Sequence, residues 1–130
     1  MVETGRENKI IQGLIADYRY DADGILVSFS KSPKRTVQNI TDNIALVRSI
    51  TGNKKVPLLI YLSDSSVPDK ETRRFSAAQL PHVYSAMAMV SKPGLSRLIM
   101  NILFGLKKPP IPMKAFTEDK KAREWLKQYV

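Results

Sequence analysis

The stretch Val56–Leu62 reads "VPLLIYL" and decides the class of fold. It is a short apolar run with no polar alternation, entered from Lys54–Lys55 and left at "SDSS". A run of this kind fits a central strand whose two faces are both covered. Working outward, "HVYSAMAMV" at His82–Val90 repeats the pattern and predicts a second strand of the same sort. Between the two, Pro68 and Asp69 mark a helix start, with Asp69 near the positive end of the dipole. On the upstream side, Val37, Ile40, Ile44, Val47 and Thr51 recur at helical spacing. Thr36 is placed to cap that helix and Gly52 to end it. Still earlier, Ile10–Tyr20 and Ile25–Lys31 flank "DADG" at Asp21–Gly24, which predicts a β-hairpin.

Downstream, "LSRLIMNILFGL" at Leu95–Leu106 has helical spacing with apolar residues on nearly every side. "PPIPMKAF" leaves room only for a short strand over Pro112–Phe116, because Pro donates nothing to a ladder. Thr117 is placed to cap a last helix, with Glu118 and Asp119 in its first turn and Ala122, Trp125, Leu126 and Tyr129 as one stripe. The order is β-β-α-β-α-β-α-β-α. It predicts a single α/β domain over 1–130, with a mixed five-stranded sheet and four helices, the later strands joined by right-handed crossovers.

Composition narrows the function. The 130 residues are 43% hydrophobic, enough for one core. There is no cysteine, so disulfides, thiolate catalysis and thiolate metal sites are excluded. With His82 the single histidine, a His-rich metal site is excluded too, and a His-based triad has little to draw on. His82 beside Pro81 reads as a strand-start side chain. No cofactor is expected. The start "MVETGRENKIIQG" is polar where a signal peptide needs a basic lead and an apolar run, so a cytoplasmic location is expected. Lys92 and Arg97 interrupt the best apolar run well short of a membrane span. The net charge of +9 biases the chain toward acidic partners.

The stretches "VPLLIYLSDSSVPDKETRRFS" and "SAMAMVSKPGLSRLIMNILFGLKKPPIPMKAFTEDKKAREWL" carry a resemblance. They are similar to the SpoIIAA-like fold of STAS domains, to which the Sec14-type lipid-transfer domain has a related arrangement. The closer resemblance is to small bacterial STAS/SEC14-like proteins of unknown function, and "KPPIPMKAFTEDKKAREWL" is its most specific part. What it implies is the fold. STAS antagonists carry a phosphorylatable Ser at the start of the helix after the third strand, but Lys70 stands at the corresponding place here. The serines Ser63, Ser65 and Ser66 lie earlier, after the strand, where a phosphate would meet Lys70, Arg73 or Arg74. An ordinary capped loop is the plainer reading of Ser65 and Ser66.

Two surfaces stand out. Lys70, Arg73 and Arg74 share one side of the helix after the Val56–Leu62 strand, a basic face fit for an acidic partner. It lacks the interleaved aromatics of a nucleic-acid stacking surface, so nucleic acid is a poor candidate partner. In the helix over Leu95–Leu106, Leu95, Leu98, Ile99, Ile102 and Leu106 form the sheet-facing side. Met100 and Phe104 flank Arg97 on the other side, with Lys107 and Lys108 just beyond. A neighbouring segment, a second copy of the chain, or an anionic lipid surface would each cover that pair. Asp64, near the carboxyl end of a central strand, has no nominated acid–base partner, and no catalytic constellation is found. The expectation is a non-enzymatic regulatory or interaction module, homo-oligomeric or bound to an acidic protein. The alternative is a binder of lipid or another apolar anion.

Overall fold

The computed structural model describes residues 9–31, 34–62, 68–91 and 109–130. The expected helix over 95–106 and the serines of 63–67 lie outside the described residues. Within them, five strands form one sheet in the order β1-β2-β3-β4-β5. These are β1 (Ala16–Tyr20), β2 (Leu26–Ser30), β3 (Val56–Tyr61), β4 (Tyr84–Val90) and β5 (Met113–Phe116). β1 and β2 are antiparallel, and each later pair is parallel. Three α-helices accompany them among the described residues: α1 (Val37–Thr51), α2 (Lys70–Val83) and α3 (Asp119–Leu126), the last continued by a 3-10 turn over Lys127–Tyr129. The mixed five-stranded sheet is as the sequence predicts. The fourth expected helix is the one outside the described residues.

The hairpin turn is where the DADG signal put it. Gly24 has φ +85°, a left-handed value that suits glycine, and its N–H bonds the Asp21 carbonyl at 3.0 Å. Ile10–Tyr20 is less regular than expected, with only Ala16–Tyr20 in the strand. Ile11 folds back and exchanges two backbone hydrogen bonds with Tyr18, at 2.7 and 2.8 Å. That doubling covers part of an edge strand that would otherwise present bare N–H and C=O groups.

The helix boundaries follow local chemistry. Thr36 Oγ1 accepts from the Asn39 N–H at 3.0 Å, and Gly52, at φ 67°, closes α1 by donating to the Arg48 carbonyl. Asp69 is the N-cap of α2 and accepts from the Thr72 N–H at 2.8 Å. This hydrogen bond holds its carboxyl below the ordinary range. Two expectations are corrected. α2 runs through Pro81 to Val83, so His82 is an exposed residue of the last helical turn and does not start β4. Pro81 is tolerated because the helix ends within three residues and the Tyr84 N–H closes it on the Leu80 carbonyl. For α3, Glu118 takes the cap position instead of Thr117, with no side-chain cap bond.

Two cores flank the sheet. On one face, Tyr18, Leu26, Leu58, Met87 and Met89 pack against Val47 of α1 and Leu80 and Val83 of α2. On the other, Ile25, Val27, Leu59, Ala86 and Ala88 meet Ala122 and Leu126 of α3. The alternation in "SAMAMV" thus sorts by size: alanines lie under α3 and methionines under the α1–α2 layer. Small residues at Ala86, Ala88 and Ala122 let α3 approach β4 closely. Asp21 ties α3 to the hairpin, accepting from Arg19 at 2.6 Å and from Arg123 at 2.9 Å.

Candidate functional site: a cavity between the helical layer and the sheet

The α1–α2 layer does not close completely on its face of the sheet. A cavity of about 140 Å3 remains between them. Its sheet wall is made by Leu58 and Ile60 of β3, Met87 of β4, and Tyr18 and Ser28 of the hairpin strands. Ile40, Asn43 and Ile44 of α1 and Ser76, Gln79, Leu80 and Val83 of α2 make the helical wall. The two ends differ in chemistry. Val83, the last residue of α2, and Tyr84, the first of β4, lie at one end and are buried. At the other end β2 and β3 finish, and α1 and α2 begin. Here the lining includes Arg35, just before the α1 cap, and Arg73, in the first turn of α2.

Arg35 is positioned by backbone. Its Nη1 donates to the Lys31 carbonyl at 2.6 Å and its Nη2 to the Ile15 carbonyl at 3.0 Å. The guanidinium is therefore strapped across the strand ends instead of extending into water. Burial lowers its pKa from the ordinary arginine value, while the Tyr18 charge would oppose that shift. An arginine remains a cation under these conditions, so the shift marks a desolvated positive charge. α1 has no acidic residue in its first turn, so nothing there offsets its positive dipole end beside Arg35. α2 is different, because Asp69 caps it and Glu71 follows.

The floor of the cavity carries neutral polar groups. Asn43 Nδ2 donates to the Tyr18 hydroxyl at 2.7 Å. The Ser28 and Tyr84 side chains lie by the same hydroxyl and, like Asn43, favour its charged form. Burial pushes the Tyr18 phenol above its usual value against these contacts. Tyr84 is pushed well above, first by burial and then by its tyrosine neighbour. Both phenols are neutral at physiological pH. Among the described residues, the titratable groups lining the cavity are these two tyrosines and the two arginines. Chemically, such a site holds and orients. Its arginines stay charged and its tyrosines stay protonated, so none of the four exchanges a proton near neutral pH.

The expected site residues are distributed differently. Of the basic face, Lys70 and Arg74 are exposed, whereas Arg73 is half-buried and turns to the cavity lining. Arg97, Met100, Phe104, Lys107 and Lys108, the expected interaction surface, lie outside the described residues, as do Ser65 and Ser66. The sequence did not single out Arg35, Tyr18, Asn43 or Tyr84. One signal for Arg35 was available: it directly precedes the Thr36 cap, and a helix start after a strand is a ready anion position. Among the described residues, no group of three or more His, Cys, Asp or Glu is placed to hold a metal ion. None of their helices is long and apolar enough to cross a membrane.

No curated protein and no solved structure matches this chain. A family model does match, from within β1 to the last residue, and it takes in both cores and the cavity lining apart from Ile15 and Ala16. By that match over residues 18–130, the chain belongs to the family described as Domain of unknown function (DUF7793).

Proposed function

We propose that this chain is a non-enzymatic binding and regulatory module of SpoIIAA-like, STAS-type fold. In this reading it takes a small apolar anion into the cavity between the sheet and the α1–α2 layer. The fold assignment is supported by a single antiparallel strand at the sheet edge, followed by parallel strands that step across in sequence order. One observation carries the ligand class: a cavity with mostly apolar walls has two cations, Arg35 and Arg73, at the same end. An apolar body would sit against Leu58, Leu80, Val83 and Met87, with its carboxylate or similar group facing the arginines. Non-enzymatic action is supported by the described lining, whose four titratable groups are all poorly suited to proton transfer near neutral pH.

Titration calorimetry tests this directly. Benzoate and hexanoate are the anionic probes, and their uncharged amides have nearly the same shape. The anions bind, and each amide binds at least tenfold more weakly. Arg73→Gln weakens the anions and leaves the amides alone. If neither anion binds, or if the amides bind equally well, the cavity is not an anion site.

A further inference from the structure

Resting on the anion-binding reading, we infer that the site is built for a short or single-ring carboxylate of about six to nine carbons, and that it excludes long acyl chains. Volume and polarity together set this limit. A cavity of about 140 Å3 is close to the roughly 150 Å3 apolar cavity that accepts one benzene molecule. One ring, or a chain of about six carbons, fills it. The polarity then fixes the direction of entry. With the carboxylate at Arg35 and Arg73, the tail points toward Leu80, Val83 and Tyr84, which are buried at 5%, 3% and 7% exposure. That end is closed by the junction of α2 and β4, where the chain passes from Val83 directly into Tyr84. A longer tail has nowhere to run along this axis. To fit, it would have to pull its headgroup off the arginines or push the packed end apart, and close-packed interiors resist both.

The wall also favours a flat, polarisable body. The Met87 thioether lies on the sheet side and is 2% exposed, and Met sulfur makes favourable contacts with aromatic ring edges. Ser76 and Gln79 on α2, with Asn43 on α1, line the helical wall and offer hydrogen bonds to a substituent along its flank. The ligand class that fits is a small aromatic or short aliphatic monocarboxylate.

Methyl NMR of the full chain, with carbon-13 in the methionine methyl groups, reads this without altering the protein. The probes are benzoate, hexanoate and dodecanoate, each titrated below its aggregation limit. The Met87 methyl reports the cavity, and the indole N–H of Trp125, packed on the opposite face of the sheet, is the control. Benzoate and hexanoate shift Met87 in a saturable way and leave Trp125 in place. Dodecanoate does so at least tenfold more weakly. If dodecanoate moves Met87 as tightly as hexanoate or more so, the length limit is wrong while the anion site stands. If none of the three moves Met87, the length limit and the anion-binding reading fall together.

Discussion

Arg35→Met separates the two jobs assigned to this residue. In the structure the guanidinium donates to the Lys31 and Ile15 carbonyls. A hydrogen bond from a charged donor contributes about 1.5–3 kcal/mol, and the lower part of that range applies to a half-buried group. Met retains the apolar length of the side chain and so offsets some of the loss through packing. A fall in stability of about 2 kcal/mol is expected for the two bonds together. With a urea dependence of about 2 kcal/mol per molar, the unfolding midpoint drops by about 1 M. The second effect is on binding. Losing one charge-assisted contact to a carboxylate, again worth about 1.5–3 kcal/mol, weakens benzoate by roughly 10- to 100-fold. Arg35→Lys keeps the charge without the planar fork, so it restores part of the affinity and little of the stability. Urea unfolding by circular dichroism and benzoate titration of the folded variants measure the two effects separately. A variant that loses the expected stability but binds benzoate like the parent would refute the reasoning. Arg35 would then be a strut across the strand ends, and the anion end of the cavity would be misplaced.

Three further outcomes follow from the same geometry. Leu126→Ala empties a site of 0% exposure under α3. Losing three carbons at about 0.8 kcal/mol each, plus a residual cavity, costs about 4 kcal/mol in urea unfolding. Benzoate affinity of the folded protein stays unchanged, because α3 packs on the face opposite the cavity; a loss below about 1 kcal/mol would mean that α3 does not close that face. Alkaline pH destabilises the fold. Tyr18 and Tyr84 have folded pKa values raised above the unfolded value, so their contribution is present below about pH 10 and is lost as pH rises through the folded values. Each contributes up to about 1.4 kcal/mol of lost stability per pH unit above that point, and Tyr18→Phe shows a shallower decline in urea midpoints between pH 9.5 and 11. A decline equal to the parent's would contradict the assignment. Thr36→Ala removes the α1 cap and lowers stability by about 1 kcal/mol, whereas Thr36→Ser keeps it. Equal midpoints for the two variants would show that the Oγ1 contact contributes nothing.

The sheet was legible because its strands announce themselves through burial. "VPLLIYL" and "SAMAMV" are apolar on both faces, and each became an interior strand between two helical layers. Capping chemistry was legible at Thr36, Gly52 and Asp69 because one side chain or one glycine settles each of those ends. Pro81 misled for a physical reason. Proline removes one helical hydrogen bond, but in the last turn that loss is small, and the buried Leu80 and Val83 keep the segment helical. The hairpin showed a related gap between pattern and pairing: the mixed, strand-like stretch Ile10–Tyr20 holds a strand only over Ala16–Tyr20, and Ile11 pairs back onto Tyr18.

The site was much less legible than the fold. Its lining comes from four of the strands, from α1 and α2, and from the segments leading into those helices, so no local window contains it. Arg73 illustrates why composition misleads here. Beside Lys70 and Arg74 in sequence it looks like one of three solvated charges, but only Lys70 and Arg74 are exposed. Tyr18, Ser28 and Tyr84 converge on one hydroxyl through strand register and the α2–β4 junction, which residue spacing does not encode. Volume is also invisible to sequence: it depends on how α1 and α2 seat on the sheet.

A crystal structure of the chain soaked with 4-bromobenzoate, phased at the bromine edge, shows whether the cavity is an anion site. One strong anomalous peak is expected among Leu58, Val83 and Met87, with the carboxylate in hydrogen-bonding range of Arg35 or Arg73. An anomalous peak on the outer surface with the cavity unchanged, or a bromine lodged beside the arginines with the carboxylate turned inward, would contradict it.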